Sequence, residues 1–277
     1  MSYICDKPLN KTRNIIVCVI VTIAVLLINS ITASAEALPL SLTPYQGLLT
    51  PNQLTVYNQV YEKANAYNTS VFTIAAPLSE AELEETMTAF YSDHPELFWL
   101  QTAYRYGVNT SGVVTKIQLK YGISVENIEN SKIIYDAQIN RIVALTDGVN
   151  DAFEKERIIH DTICGMSTYC SESDMNQSAY SALTGNSTVC AGYARAFQVA
   201  CIRAGIPCYY VMGVSKGENH AWNVVYINGQ YYNVDITWDD SIGEIRGLNT
   251  YVYFNKTDTE FGTDHEKSPL SARIAFQ

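Results

Sequence analysis

Residues Thr188 to Asp240 read TVCAGYARAFQVACIRAGIPCYYVMGVSKGENHAWNVVYINGQYYNVDITWDD. A cysteine opens a helical pattern, and a histidine and an aspartate follow on two strand-like runs. From Cys190 the small or apolar positions recur at Ala194, Phe197, Cys201 and Ala204, the alternating steps of four and three that predict a helix with one buried stripe. Ser187 or Thr188 is placed to cap its start, and Gly205 followed by Pro207 ends it. Cys190 then lies in the first turn, where unpaired N–H groups and the positive end of the helix dipole favour a thiolate. Gly192 and the alanines at 191, 194 and 196 keep the flanks of this turn small, so another element can pack closely.

Ile206 to Ser215 is a β-rich run, and two further runs are joined by Asn228-Gly229. Asn-Gly between alternating apolar residues predicts a two-residue type I′ hairpin. In that register Ile227 pairs with Gln230, Trp222 faces Asp235, and His220 faces Thr237. Side chains alternate across a strand, so His220, Trp222 and Asp235 share a face. His220 and Asp235 are then diagonal neighbours, about 7–8 Å apart and within reach of longer side chains. A slip of one residue would put them on opposite faces. Cys190 as thiol nucleophile, His220 as its base and Asp235 as the group that orients the base is the constellation this spacing allows.

The order Cys, His, Asp within CAGYA, GIPCYYVMG, HAWNVV and DITWDD resembles the core of the bacterial transglutaminase-like superfamily, over about Arg157 to Phe254. The resemblance implies an α+β, papain-like thiol fold, with the nucleophile helix packed on an antiparallel sheet. It matches Cys190 to the nucleophile, His220 to the base and Asp235 to the orienting acid. Trp222, Trp238 and Asp239 match motif positions with no settled chemical role. Tyr180, ten residues before the cysteine, matches the pattern as a residue that lines the cleft or helps hold an oxyanion, with core packing as the alternative. Trp222 and Trp238 are the other candidate cleft residues. His160-Asp161 reads as a structural hydrogen-bonding pair near a helix end. The implied activity is acyl transfer at amide bonds of peptides or proteins through a thioester. Water as acceptor makes a peptidase or amidohydrolase, and an amine makes a protein-glutamine transglutaminase. The alternative is a catalytically idle module that grips cell-wall or protein ligands in the same cleft.

At the start, Lys7, Lys11 and Arg13 precede an apolar run from Ile15 to Ile28, followed by Ala33-Ser34-Ala35. This pattern predicts a secretory signal peptide over residues 1–35, cleaved after Ala35. The run is shorter than the ~20 residues a membrane span needs, so no stable membrane insertion is expected after cleavage. The expected location is extracellular or at the cell surface, where a cell-wall peptide or surface protein is a natural substrate. The remaining 242 residues carry 15 basic against 27 acidic residues, a net charge of −12. No basic cluster remains, which argues against nucleic acid as a partner.

Five cysteines remain: 164, 170, 190, 201 and 208. An odd number in an exported chain flags a free thiol. Cys164–Cys170 and Cys201–Cys208 are conceivable bridges, with Cys201 and Cys208 as small buried hydrophobes the preferred reading. No zinc spacing is present, Asp239, Asp240 and Glu244 fit a calcium loop poorly, and no metal or other cofactor is expected. Those acids read as a solvated loop after a strand, Tyr251 to Phe254 as a further strand, and His265 as a surface or capping histidine.

Residues 36–150 read as an α+β extension packed on a core spanning 151–277. Thr50-Pro51 opens a helix to Tyr67, and Ser79 with Glu82 forms a capping box for a second, to about Tyr91. Phe98–Tyr106 and Val113–Tyr121 read as strands, and Ile133–Leu145 as a helix. DHPELFWL (Asp93 to Leu100) resembles segments that precede the core in some superfamily members. The core itself is expected to begin with a helix from Asp151 to Cys164.

Overall fold

The computed structural model describes residues 39–172 and 174–276; the signal-peptide reading falls outside them. The first helix, α1 (Pro51–Asn65), begins with the expected proline and a Thr50–Gln53 capping box. Strand β1 (Phe72–Leu78) follows and was not anticipated, because FTIAAPL carries a proline and only a brief alternation. α2 (Glu80–Asp93) starts with the expected Ser79–Glu82 box. β2 (Leu100–Val108) and β3 (Val114–Tyr121) complete an antiparallel sheet in the order β1-β3-β2. α3 (Val125–Ala144) starts eight residues earlier than expected. Ile128, Ser131, Tyr135, Ile139 and Ile142 form its buried stripe, and the polar stretch before Ile133 hides the first two turns of that stripe.

The second half contains α4 (Ala152–Cys164), capped by Asp151, and a short parallel pair, β4 (Thr168–Tyr169) with β5 (Ser187–Thr188). The short helix α5 (Ala179–Thr184) lies between those two strands in sequence. α6 (Cys190–Arg203) follows, then β6 (Cys208–Ser215), β7 (Glu218–Ile227), β8 (Gln230–Val234), α7 (Ile236–Arg246) and β9 (His265–Lys267). The larger sheet is antiparallel with strand order β8-β7-β6-β9. The β7–β8 turn is the predicted type I′, with Asn228 at φ 51° and Gly229 at φ 83°. Every observed pair from Ile227↔Gln230 to Asn223↔Val234 keeps the predicted register.

Several local expectations are corrected. α6 is not a one-stripe helix, since every residue from Ala191 to Cys201 is buried, as expected of a helix enclosed by other elements. Neither Ser187 nor Thr188 caps it: the cap position is Val189, without a side-chain hydrogen bond. Thr188 Oγ1 instead donates to the Asn176 carbonyl at 2.9 Å. Tyr251–Phe254 forms no strand; the further strand of the sheet is β9, at the β6 edge. Asp239 and Asp240 lie in α7 and are buried. All five cysteines among the described residues are unbridged, with Cys201 and Cys208 buried.

The segment ahead of residue 151 and the part after it share one apolar cluster, which runs from Tyr45 and Val56 through Phe197 and Cys201 to Ile274. Two glycines allow the closest approaches around the sulfur-bearing helix and the sheet. A Cβ at Gly192 would sit 1.9 Å from Thr188 Oγ1 and 2.8 Å from the Asn176 carbonyl oxygen. At Gly213 of β6 it would meet the Glu266 carbonyl oxygen of β9 at 2.0 Å and Trp222 Cη2 at 2.6 Å. Neither backbone can yield without parting the strands. Gly213→Ala is therefore expected to cost roughly 1–3 kcal/mol or more, read as a lowered urea midpoint with an unchanged slope.

Candidate active site

Cys190 is the first residue of α6 and half-buried, packed with Val189, Ala194, Tyr210, Met212 and Ala221. No side chain caps that helix start, which leaves first-turn N–H groups without the usual side-chain acceptor. His220 projects from β7, opposite Gly213 of β6. Its Nε2 lies 2.7 Å from Asp235 Oδ2, and its side chain is 9% exposed. Cys190 also acts on the imidazole and favours its protonated form; with Nε2 on Asp235, Nδ1 is the ring nitrogen free to serve it. Burial pulls the imidazole pKa down, but the hydrogen bonds and charges of Asp235 and Cys190 outweigh it and push it up to about 10. Imidazole and carboxylate are thus in direct contact, and the sulfur-bearing residue acts on the same ring.

Asp235 reaches His220 by a different route from the one predicted. β8 ends at Val234, so the facing of Trp222 with Asp235 and of His220 with Thr237 does not form. Asp235 instead is the N-cap of α7, its Oδ1 accepting the N–H groups of Thr237 at 3.0 Å and Trp238 at 3.2 Å. The carboxylate satisfies orphan helix donors and starts the helix, ending the strand. Its other oxygen is left for the histidine. Burial pushes the Asp235 carboxyl up, but hydrogen bonds from His220 and His265, with their charges, hold it below the usual range.

His265 is the residue the sequence reading missed. Its side chain is wholly buried, with Nε2 3.1 Å from the same Asp235 Oδ2 and Nδ1 2.7 Å from Asp264 Oδ1. The ring stacks on Phe261 at 3.9 Å and meets Trp222 edge-on at 5.2 Å. The only local signal was the Asp264-His265 pair before a three-residue strand. The pairing that brings β9 to β6 is long-range and left no pattern. The donor atoms of His220, Asp235 and His265 lie within 4.8 Å of one another. Each histidine reaches the same Asp235 oxygen through its Nε2.

Of the three candidate cleft residues, Trp238 lines the cavity beside His220. That cavity has a volume of about 220 Å³ and includes Tyr169, Glu218, Asn219 and Ser241. Lys216 Nζ lies 3.6 Å from the Trp238 ring centre, a cation–π contact. Trp222 is not a cleft residue: it is 1% exposed, and its Nε1 donates to Asn233 Oδ1 at 3.1 Å. It forms the floor beneath the two histidines. Tyr180 packs, its ring stacked on Phe98 at 5.1 Å. His160 binds Asp161 at 3.0 Å and Asp239 at 3.3 Å, joining α4 to α7 as a structural pair. A larger cavity of about 630 Å³ has Tyr210, Met212 and Arg195 of the core on one side, and Glu80, Glu84 and Tyr104 on the other. Tyr210 and Met212 also pack in the cluster around Cys190.

Residues 140–236, which include Cys190, His220 and Asp235 and stop short of His265, match the model of the Transglutaminase-like superfamily. Kyphoscoliosis peptidase of Mus musculus is 29% identical over 158 residues, 49% of this chain and 24% of that protein. The Homo sapiens protein of the same name is 37% identical over 79 residues, 24% of this chain and 12% of that one. The chain thus matches less than a quarter of the length of these relatives. A solved structure described as a TGase aligns with a TM-score of 0.36 at 14% identity, covering 61% of this chain and 51% of that one.

The folded pKa of His220 stands above its ordinary 6.5. The protonated histidine therefore stabilises the fold fully below pH 6.5, and that contribution is lost as pH rises towards about 10. Thermal melts of the wild type should fall more steeply between those pH values than melts of His220→Gln.

Proposed function

We propose that this transglutaminase-like chain is an exported thiol enzyme that acts on amide bonds of peptides or proteins through a thioester. The observation that carries this reading is the 2.7 Å contact of His220 with Asp235, beside a half-buried Cys190 that acts on the same imidazole. The raised pKa of His220 supports a proton resting on the imidazole. The thiolate attacks the amide carbon, and the carbonyl oxygen takes up the negative charge beside the uncapped N–H groups at the start of α6. The C–N bond breaks as His220 gives its proton to the leaving amine, and a thioester on Cys190 remains. Water or a second amine, deprotonated by His220, then attacks that thioester and frees the sulfur. Asp235 holds the imidazole in the tautomer that allows both transfers.

Water as acceptor makes the chain a peptidase or amidohydrolase, and an amine makes it a protein-glutamine transglutaminase. The relatives' printed name, a peptidase, supports the first. A peptide is long enough to run past His220 and also reach the larger cavity, where residues 80–106 contribute a wall with Glu80 and Glu84 at its rim. Cell-wall peptides and surface proteins are the proposed substrates of an exported chain of this kind.

Iodoacetamide at mildly acidic pH should alkylate Cys190 faster than the other four thiols, located by mass spectrometry, and His220→Ala should abolish the preference. Labelling at the rate of an ordinary thiol would leave the idle binding module. With a glutamine peptide and a fluorescent amine, incorporation of the amine marks a transglutaminase, and release of ammonia or a cleaved peptide marks a hydrolase. Cys190→Ala should lose either activity by about 10³-fold or more.

A further inference from the structure

Asp235 serves two histidines with one oxygen: Oδ2 contacts His220 Nε2 at 2.7 Å and His265 Nε2 at 3.1 Å. His265 in turn sits between two carboxylates, with Nδ1 2.7 Å from Asp264 Oδ1. A neutral imidazole carries one N–H and can donate to only one of them. Both carboxyls are held below their ordinary range. For each, burial pushes up, and hydrogen bonds from the histidine and its other partners push down harder. Two ionised carboxylates donate nothing, so both contacts are hydrogen bonds only if both ring nitrogens of His265 carry protons.

The environment suits a held cation. The groups facing His265 are Asp235 at the start of α7, Asp264 just ahead of β9, and His220 of β7. The rings of Trp222, Tyr253 and Phe261 enclose it. Lys216 acts on Asp264 from the β6–β7 turn, and Tyr253 Oη donates to Asp264 Oδ2 at 2.7 Å. The sheet delivers His265 by the pairing Ser215↔His265, one step of which needs the bare backbone of Gly213 against Glu266.

We propose that His265 is a positioning residue for the Cys190–His220 pair, a buried imidazolium that fixes the Asp235 carboxylate and takes a share of its charge. This rests on the thiol-enzyme reading above and deepens it. Sharing has two effects. The carboxylate is held by partners on α7, β7 and β9, so the imidazole of His220 has one rest position. His220 also feels less than a full negative charge, so it remains a strong enough acid to protonate the leaving amine. With Asp235 serving His220 alone, the proton would be held too tightly for that step.

The test is a ¹⁵N-histidine NMR titration of His220 in wild type, His265→Gln and Asp264→Asn, with the signal assigned from His220→Gln. The ring centres of His220 and His265 are 5.6 Å apart. A unit charge at that distance moves a neighbour's titration by about half a pH unit even at the dielectric of water. The His220 midpoint should therefore rise by about that much or more in His265→Gln. It should rise by less in Asp264→Asn, where His265 loses the partner that holds its second proton and the lost charge of Asp264 opposes the effect. A structural role alone would change the melting temperature and leave the midpoint where it was. An unmoved or lowered midpoint in both variants, with native circular dichroism, would overturn the proposal. The thiol reading is judged separately: if iodoacetamide labels Cys190 equally fast in wild type and His220→Ala, that reading fails whatever His265 does.

Discussion

The site depends on one buried carboxylate. Asp235 has no exposed side-chain surface, and an ion taken so far from water costs several kcal/mol unless its lone pairs are filled. They are filled by four donors: two backbone N–H groups at the start of α7 on one oxygen, and two imidazoles on the other. The four contacts join three parts of the chain to the same atom pair. The helix start, the long central strand and the short edge strand are thereby held in one arrangement. The reach of His220 to the sulfur is set by how well that arrangement is maintained.

What the sequence revealed of this follows from how local each signal was. Asn228-Gly229 is a two-residue statement, and the β7–β8 register it implied holds to the end of β8. The capping boxes at Thr50 and Ser79 are four-residue statements and were equally plain. At Asp235 two local rules compete. Val234 and Ile236 continue an apolar alternation, while an aspartate ahead of Thr-Trp-Asp also reads as a helix cap. Cap geometry wins because it satisfies donors that a strand would leave idle. Cys190 and His220 were legible because a helix start and a hairpin strand present them. His265 was not, since a three-residue strand pairs with β6 about fifty residues earlier and only packing decides that choice.

The aromatic candidates divide for a physical reason. Trp222 and Trp238 look alike in the motif, yet Trp222 alternates onto the inner side of β7 and is sealed beneath the histidines. Trp238 stands one turn into α7 at the cleft wall. Tyr180 belongs to a stack with Phe98 and Tyr135, which binds the segment ahead of the core to α5. The same joining shows in the larger cavity, where α2 and β2 face the tyrosine and methionine that pack near the sulfur. The segment before residue 151 thus forms one wall of that cavity.

Gly213 draws these threads to a practical end. Because its missing side chain admits β9, and β9 delivers His265, the recognisable homologous stretch is narrower than the working unit. A polypeptide trimmed to residues 140–236 would retain the sulfur, the imidazole and the carboxylate. It would lose the edge strand that completes the carboxylate's coordination and the upstream wall. A fragment meant to keep Asp235 held as it is here has to carry the chain through Lys267.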